Sequence, residues 1–148
     1  MDHRFQDQQY RLSYFQQEVA VICSVCTKKA TAKADYEAQK VRLTCTSCGH
    51  HREVSTCRSA FGMNAHYITA AHVYLDLPLW YETSFKNEIF WAYNEAHLLY
   101  LEQYIIAKLR EHKDRTHFTF LEKLPKFYHD SKNREALLKI ISKLKNKK

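Results

Sequence analysis

An α+β fold is predicted, with a small antiparallel sheet first, an aromatic β-hairpin next and helices at the C-terminal end. Three observations carry this reading. Four of the five cysteines fall in two Cys-x-x-Cys pairs, Cys23/Cys26 and Cys45/Cys48. Short β-branched runs flank those pairs, as strands require. Beyond about residue 94 the apolar residues recur at helical spacing instead. At 148 residues, 45% hydrophobic and 14% aromatic, the chain is long and apolar enough to bury a core. Its two glycines, Gly49 and Gly62, and two prolines, Pro78 and Pro125, are too few for a glycine-rich phosphate loop or a many-turned all-β fold. The expected division is 1–60 for the cysteine-bearing sheet with its N-terminal arm, and 61–148 for the hairpin and helices.

Residues 1–16 are polar with scattered aromatics, Phe5, Tyr10, Tyr14 and Phe15, and read as an arm or short helix. Glu18 to Ile22 reads as a strand leading into the first cysteine pair. Residues 27–34 carry Lys28, Lys29 and Lys33 and read as a polar loop. Within 36–44, Val41 and Leu43 alternate with Arg42 and Thr44, which predicts a second strand, and 51–56 predicts a third. Gly49, just after Cys48, supplies the positive φ that such a turn needs. Thr27 holds the equivalent place after Cys26 and suits it less. Residues 57–72 read as a connector with a short helix, in which Ala65, Ile68, Ala71 and His72 share a face, weakened by Gly62 and Asn64.

Val73, Leu75, Leu77, Leu79 and Tyr81 alternate, predicting a strand with Pro78 at an edge or bulge. Residues 88–93 predict its antiparallel partner. A loop over 84–87 would set Trp80 opposite Trp91 and Tyr81 opposite Phe90. Such aromatics either pack under a helix or offer a stacking platform for bases. Asn94 is a good cap for a central helix over about 94–113, with Leu98, Leu101, Ile105 and Leu109 on one stripe and Leu99 and Ile106 flanking it. A short helix over 119–124 stops at Leu124-Pro125. Asp130 or Ser131 caps a last helix over about 131–146, where Leu137, Ile140, Ile141 and Leu144 share a face and Lys139 and Lys143 lie opposite.

Two Cys-x-x-Cys pairs at this separation suit one tetrahedral metal, so Cys23, Cys26, Cys45 and Cys48 are expected to hold a single structural Zn²⁺. Four thiolates close the coordination sphere and leave no position for a reacting water. Cysteines used this way, with no hydrophobic signal core in the opening residues, point to a cytoplasmic location. No run approaches about eighteen apolar residues, so no membrane span is expected. Cys57 is expected to be a buried small hydrophobe, and His50 and His51 to be neighbours of the metal turn rather than ligands. An enzyme is disfavoured: no His-Glu-x-x-His, Gly-x-Ser-x-Gly or Gly-Lys-Ser/Thr motif is present. Asp76, Glu82 and Lys86, or His50-His51-Arg52, only faintly suggest a nuclease.

Cys23, Cys26, Cys45, Cys48 and Gly49 make residues 18–56 resemble the four-cysteine zinc ribbons of transcription factors, RNA polymerase subunits and ribosomal proteins. The later part, through Leu77-Pro-Leu-Trp80, Phe90-Trp-Ala-Tyr-Asn94 with His97-Leu98, Leu124-Pro125 and Lys132-Asn-Arg-Glu135, is similar to small uncharacterised bacterial zinc-ribbon proteins. The resemblance implies a ribbon fold that serves nucleic-acid or protein binding alike.

Charge bears on the choice: the loop between the cysteine pairs carries Lys28, Lys29 and Lys33, diluted by Asp35 and Glu37, and the basic tail either attracts a polyanion or solubilises the end. The net +7 is distributed as nine Lys/Arg against six Asp/Glu in 1–60, three against six in 61–111, and eleven against four in 112–148. The expected function is therefore a binding module that contacts nucleic-acid phosphates through Lys28, Lys29, Lys33, Arg42, Arg52, Lys139 and Lys143. The alternative is a protein–protein adaptor or subunit of a larger complex, with structural zinc and no catalysis.

Overall fold

A computed structural model describes residues 12–106, 125–128 and 130–148. The residues of the arm before Leu12, the expected end of the central helix beyond Ile106, and the short helix expected over 119–124 lie outside these. The fold is α+β, as the sequence predicts: a four-stranded antiparallel sheet, two further hairpins, and helices at the C-terminal end.

A short helix, α1 (Leu12–Phe15), leads into the sheet, which runs in the order β1 (Glu18–Ile22), β2 (Lys29–Asp35), β3 (Lys40–Thr44) and β4 (His51–Ser55). Strand β2 replaces most of the expected polar loop. Its period of two is real, but the inward residues are Ala30, Ala32 and Ala34, whose small side chains give a weak apolar signal. Strand β3 starts only at Lys40, because Asp35 ends β2 by accepting the Ala38 N–H at 3.0 Å and Gln39 turns with φ 58°.

One face of the sheet buries Val19, Val21, the three alanines, Val41 and Leu43 beneath α2 (Ala71–Leu75), with Leu79 beside them. Here the sequence expectation fails. The alternation from Val73 begins as one helical turn that buries Ala71, Tyr74 and Leu75 and leaves Val73 exposed. Asp76 ends the turn in the left-handed region, and Leu79 then makes an isolated bridge to Val21. Burial of Tyr74 and Leu75 against the sheet outweighs the strand pattern.

The connector also differs from expectation. It forms a hairpin, β5 (Cys57–Ala60) and β6 (Met63–His66), joined by Phe61 and Gly62 at φ 54° and 76°. Two positive φ angles in a two-residue loop are what the right-handed twist of paired strands demands.

The aromatic hairpin consists of β7 (Tyr81–Phe85) and β8 (Glu88–Ala92). Its loop is Lys86-Asn87, shorter than expected, so Tyr81 pairs with Ala92, Glu82 with Trp91 and Thr83 with Phe90. The expected Trp80–Trp91 and Tyr81–Phe90 pairings are thereby corrected. Trp80, Tyr81, Phe85 and Phe90 are buried with Leu98, Leu101, Ile105, Leu137 and Ile141 in the larger core. These four rings are therefore core and not a platform for bases.

Asn94 caps α3 (Glu95–Ile106) as expected, accepting the His97 N–H at 2.9 Å. Its amide also donates to the carbonyls of Phe15 and Glu18, fastening the helix start to the first strand. The buried face of α3 is completed by His97, Tyr100 and Tyr104, whereas Leu99 is half-buried and Ile106 exposed. Asp130 accepts the Lys132 N–H and begins the turn into α4 (Arg134–Lys145), which buries Leu137, Ile141 and Leu144. Lys139 and Lys143 point away from that face and are exposed.

Candidate metal centre

Each cysteine pair sits on a tight turn, and the two turns are built alike. Cys23 N–H donates to the Lys28 carbonyl at 2.8 Å and Thr27 N–H to the Cys23 carbonyl at 3.0 Å. In the second turn Cys45 N–H donates to His50 and Gly49 N–H to Cys45, both at 2.9 Å. Thr27 and Gly49 occupy equivalent left-handed positions, φ 63° and 79°. The positive φ at Thr27 carries a steric cost that glycine avoids. Strands β2 and β3 then bring the turns together, because the register of Thr31 with Thr44 sets both cysteine pairs at the same end of the sheet.

The four sulfurs lie within 4.8 Å of one another, with Cys23 and Cys48 at 3.8 Å and Cys26 and Cys45 at 3.5 Å. Four sulfurs about 2.3 Å from a tetrahedral metal stand about 3.8 Å apart, so this spacing is that of a coordination shell. A disulfide, at about 2.05 Å, is far shorter, and all five cysteines are free thiols. Cys23 and Cys45 are buried, Cys26 half-buried and Cys48 exposed.

The electrostatics agree. The Cys26 and Val25 N–H groups lower the Cys23 thiol to about 7, and the Cys48 N–H lowers Cys45. Cys48 is pushed up to about 12: the His50 N–H pulls it down, but desolvation and the three neighbouring thiols outweigh it. Four thiolates this close repel one another strongly, and a bound cation removes that penalty. The donor set, its spacing and the inward N–H groups all fit a metal ion. Among the described residues no other group of three or more Cys, His, Asp or Glu gathers in this way.

The expected basic contacts fall in different places. Lys33 and Arg42 are cross-strand partners on the outer sheet face, the one turned away from α2. Arg42 bridges Glu53 at 3.0 Å, and Lys40 reaches the same carboxylate at 3.6 Å. Lys28 is exposed at the end of the first turn. Lys29 is drawn away, donating to the Tyr81 hydroxyl at 2.8 Å with its ammonium 5.1 Å from that ring. Arg52 pairs with Leu43 and so projects on the face opposite to Arg42. Lys139 and Lys143 lie on α4, a separate element. Two neighbouring lysines serve the fold: Lys145 bonds Glu102 at 3.1 Å, and Lys147 donates to the Trp80 carbonyl at 2.8 Å while lying 4.3 Å over its ring.

The described histidines do not converge. His66 bonds Thr56 at 2.9 Å, while His97 accepts the Tyr93 N–H and stacks on Phe15. His72 packs on Tyr93, and His50 and His51 follow the second metal turn. Asp76 is a helix end, Glu82 projects from β7, and Lys86 donates to Asn133, so these three make no joint site. Cys57, expected inside, is exposed on β5, where its neighbours in the two-stranded sheet leave it uncovered. No family model, no curated protein and no solved structure matches the chain.

Proposed function

We propose that Cys23, Cys26, Cys45 and Cys48 hold one structural Zn²⁺ and that the chain is a nucleic-acid-binding module. The sulfur spacing carries the first part: an all-thiolate tetrahedron favours zinc among the common divalent ions in a reducing, cytoplasmic setting. The metal neutralises the thiolates and ties the two turns together, and with four protein ligands it has no catalytic opening. The Lys33–Arg42 pair supports the second part, because two cations stand side by side on one open sheet face. Lys28, at the first turn, and Lys139 and Lys143, on α4, would add contacts to phosphates from other surfaces, whereas Arg52 projects on the opposite face and Lys29 is engaged by Tyr81.

Metal analysis is expected to give one zinc per chain, and cobalt replacement the intense charge-transfer bands of a tetrathiolate site. Affinity for a fluorescent oligonucleotide is expected to fall steeply and log-linearly with salt. Binding that is absent, or flat with salt, removes the nucleic-acid reading.

One observation favours the adaptor reading. Phe61, Met63 and Ile68 are exposed on and beside the β5–β6 arm, with Phe61 fully solvent-facing at its tip. Partner capture that survives high salt and is abolished by Phe61→Ser would support that alternative. The aromatic hairpin offers no docking face at Trp80, Tyr81 or Phe85, since all three are buried.

A further inference from the structure

We infer that the outer face of the four-stranded sheet is a track for one single-stranded nucleic-acid backbone, with acidic borders that turn a duplex away. This rests on the nucleic-acid reading above and gives it a place and a ligand form. The strand registers set the outward residues in rows across the sheet. One row reads Glu18, Lys33, Arg42, Glu53; on one side of it lies Ala20, Thr31, Thr44, His51, and on the other Asp35, Lys40, Ser55, where Asp35 closes the end of the face. Two cations therefore sit beside two hydroxyls at the centre of the face, and a carboxylate stands at each outer strand.

The centre suits a phosphodiester. The Lys33 ammonium carries no ion pair among the described residues, and Arg42 shares Glu53 with Lys40, which leaves guanidinium donors for a second partner. Thr31 and Thr44 add short donors beside them. Along β3, Lys40, Arg42 and Thr44 recur every second residue, about 6.8 Å apart, so successive phosphates of a strand lying along β3 meet successive donors. A groove of about 920 Å³ occupies this face, lined by Thr31, Lys33, Lys40, Arg42, Thr44 and Glu53, with the carboxylates Asp35 and Glu37 at its Lys40 end.

The borders set the width. Strands lie about 4.8 Å apart, which puts Glu18 on β1 and Glu53 on β4 about 14 Å from each other. On the β1 side Ala20 is closed off by the larger core, with Trp80 N–H bonded to its carbonyl at 2.9 Å. A single backbone fits between the carboxylates. A duplex laid on the face would bring its second strand against Glu18 or Glu53, where like charges repel.

The test uses the zinc-loaded full chain and a short fluorescent oligonucleotide, offered single-stranded and as its duplex. The single strand is expected to bind at least tenfold tighter than the duplex. The K33A/R42A double variant is expected to lose about tenfold or more, and its log–log salt slope to shrink by about 1.4, the value for two phosphates on a single strand. E18Q is expected to narrow the gap between single strand and duplex. Inorganic phosphate at matching phosphate concentration is expected to compete poorly, because one phosphate meets only one station of the track. Both mutated cations are exposed, so zinc content and circular dichroism should match the parent protein.

Wild-type affinity in K33A/R42A, with loss in K139A/K143A, would place binding on α4 and overturn the track while leaving the general reading standing. Equal affinity for duplex would overturn the borders. No oligonucleotide binding at all would overturn both readings, and displacement by phosphate alone would replace the strand with a small anion.

Discussion

The two hydrophobic clusters of this chain solve the same problem with different materials. The sheet cluster is made of valines, alanines and Leu43, with α2 as a one-turn lid. The larger cluster gathers Trp80, Tyr81, Phe85, Phe90, Tyr100 and Tyr104 with leucines and isoleucines from α3 and α4. Alanine buries little apolar area, while each aromatic ring buries roughly 150–250 Å². The contrast teaches that the sheet has little apolar area to hold it and would depend on the metal proposed for its four cysteines, whereas the aromatic core depends on packing.

The largest expected effect separates the two. Cys45→Ser removes one of four ligands, and structural zinc sites contribute about 10–16 kcal/mol of binding free energy to folding in small domains. Hydrogen exchange should show lost protection over β1–β4 and retained protection in α3 and α4. Uniform loss across both regions would mean that the metal supports the whole chain. The converse variant is Phe90→Ala, at a side chain that is wholly buried. It should cost about 3–5 kcal/mol by denaturant titration, with the zinc stoichiometry unchanged.

Acid should sharpen the same contrast. Burial pushes His97 down to about 3 and also lowers His72. Below the ordinary histidine value of about 6.5 the unfolded chain therefore binds protons that the folded chain refuses, and stability declines from there toward about pH 3. Near-ultraviolet circular dichroism reads this loss in the aromatic core, and His97→Gln should flatten it. Zinc release, followed with a colorimetric chelator, should be unaffected by that substitution. The smallest expected effect is Asn94→Ala. Loss of the cap should cost about 1 kcal/mol, and further destabilisation would measure its ties to Phe15 and Glu18.

The two cysteine turns were legible in the sequence because cysteine spacing and Gly49 report a local geometry. Strand β1, the Asn94 cap and the stripe of α3 were legible for the same reason. Strand β2 was obscured because alanine and lysine alternate without strong hydrophobicity. The α2 turn was hidden because its helical state depends on covering a sheet far away in sequence. The β5–β6 hairpin escaped because Phe61 at positive φ is not a residue that advertises a tight turn. The Lys33–Arg42 pairing could not be read before β2 was recognised, since only the register sets them side by side.

Both tryptophans lie where the two clusters meet. Trp80 bonds the β1 backbone through Ala20 and carries the Lys147 ammonium on its ring, and Trp91, half-buried, packs against the sheet cluster. Intrinsic fluorescence of this protein is thus a native gauge of the seam rather than of either interior. Stripping the metal should shift the emission before the helices melt, so one unlabelled sample can time the order in which the halves let go.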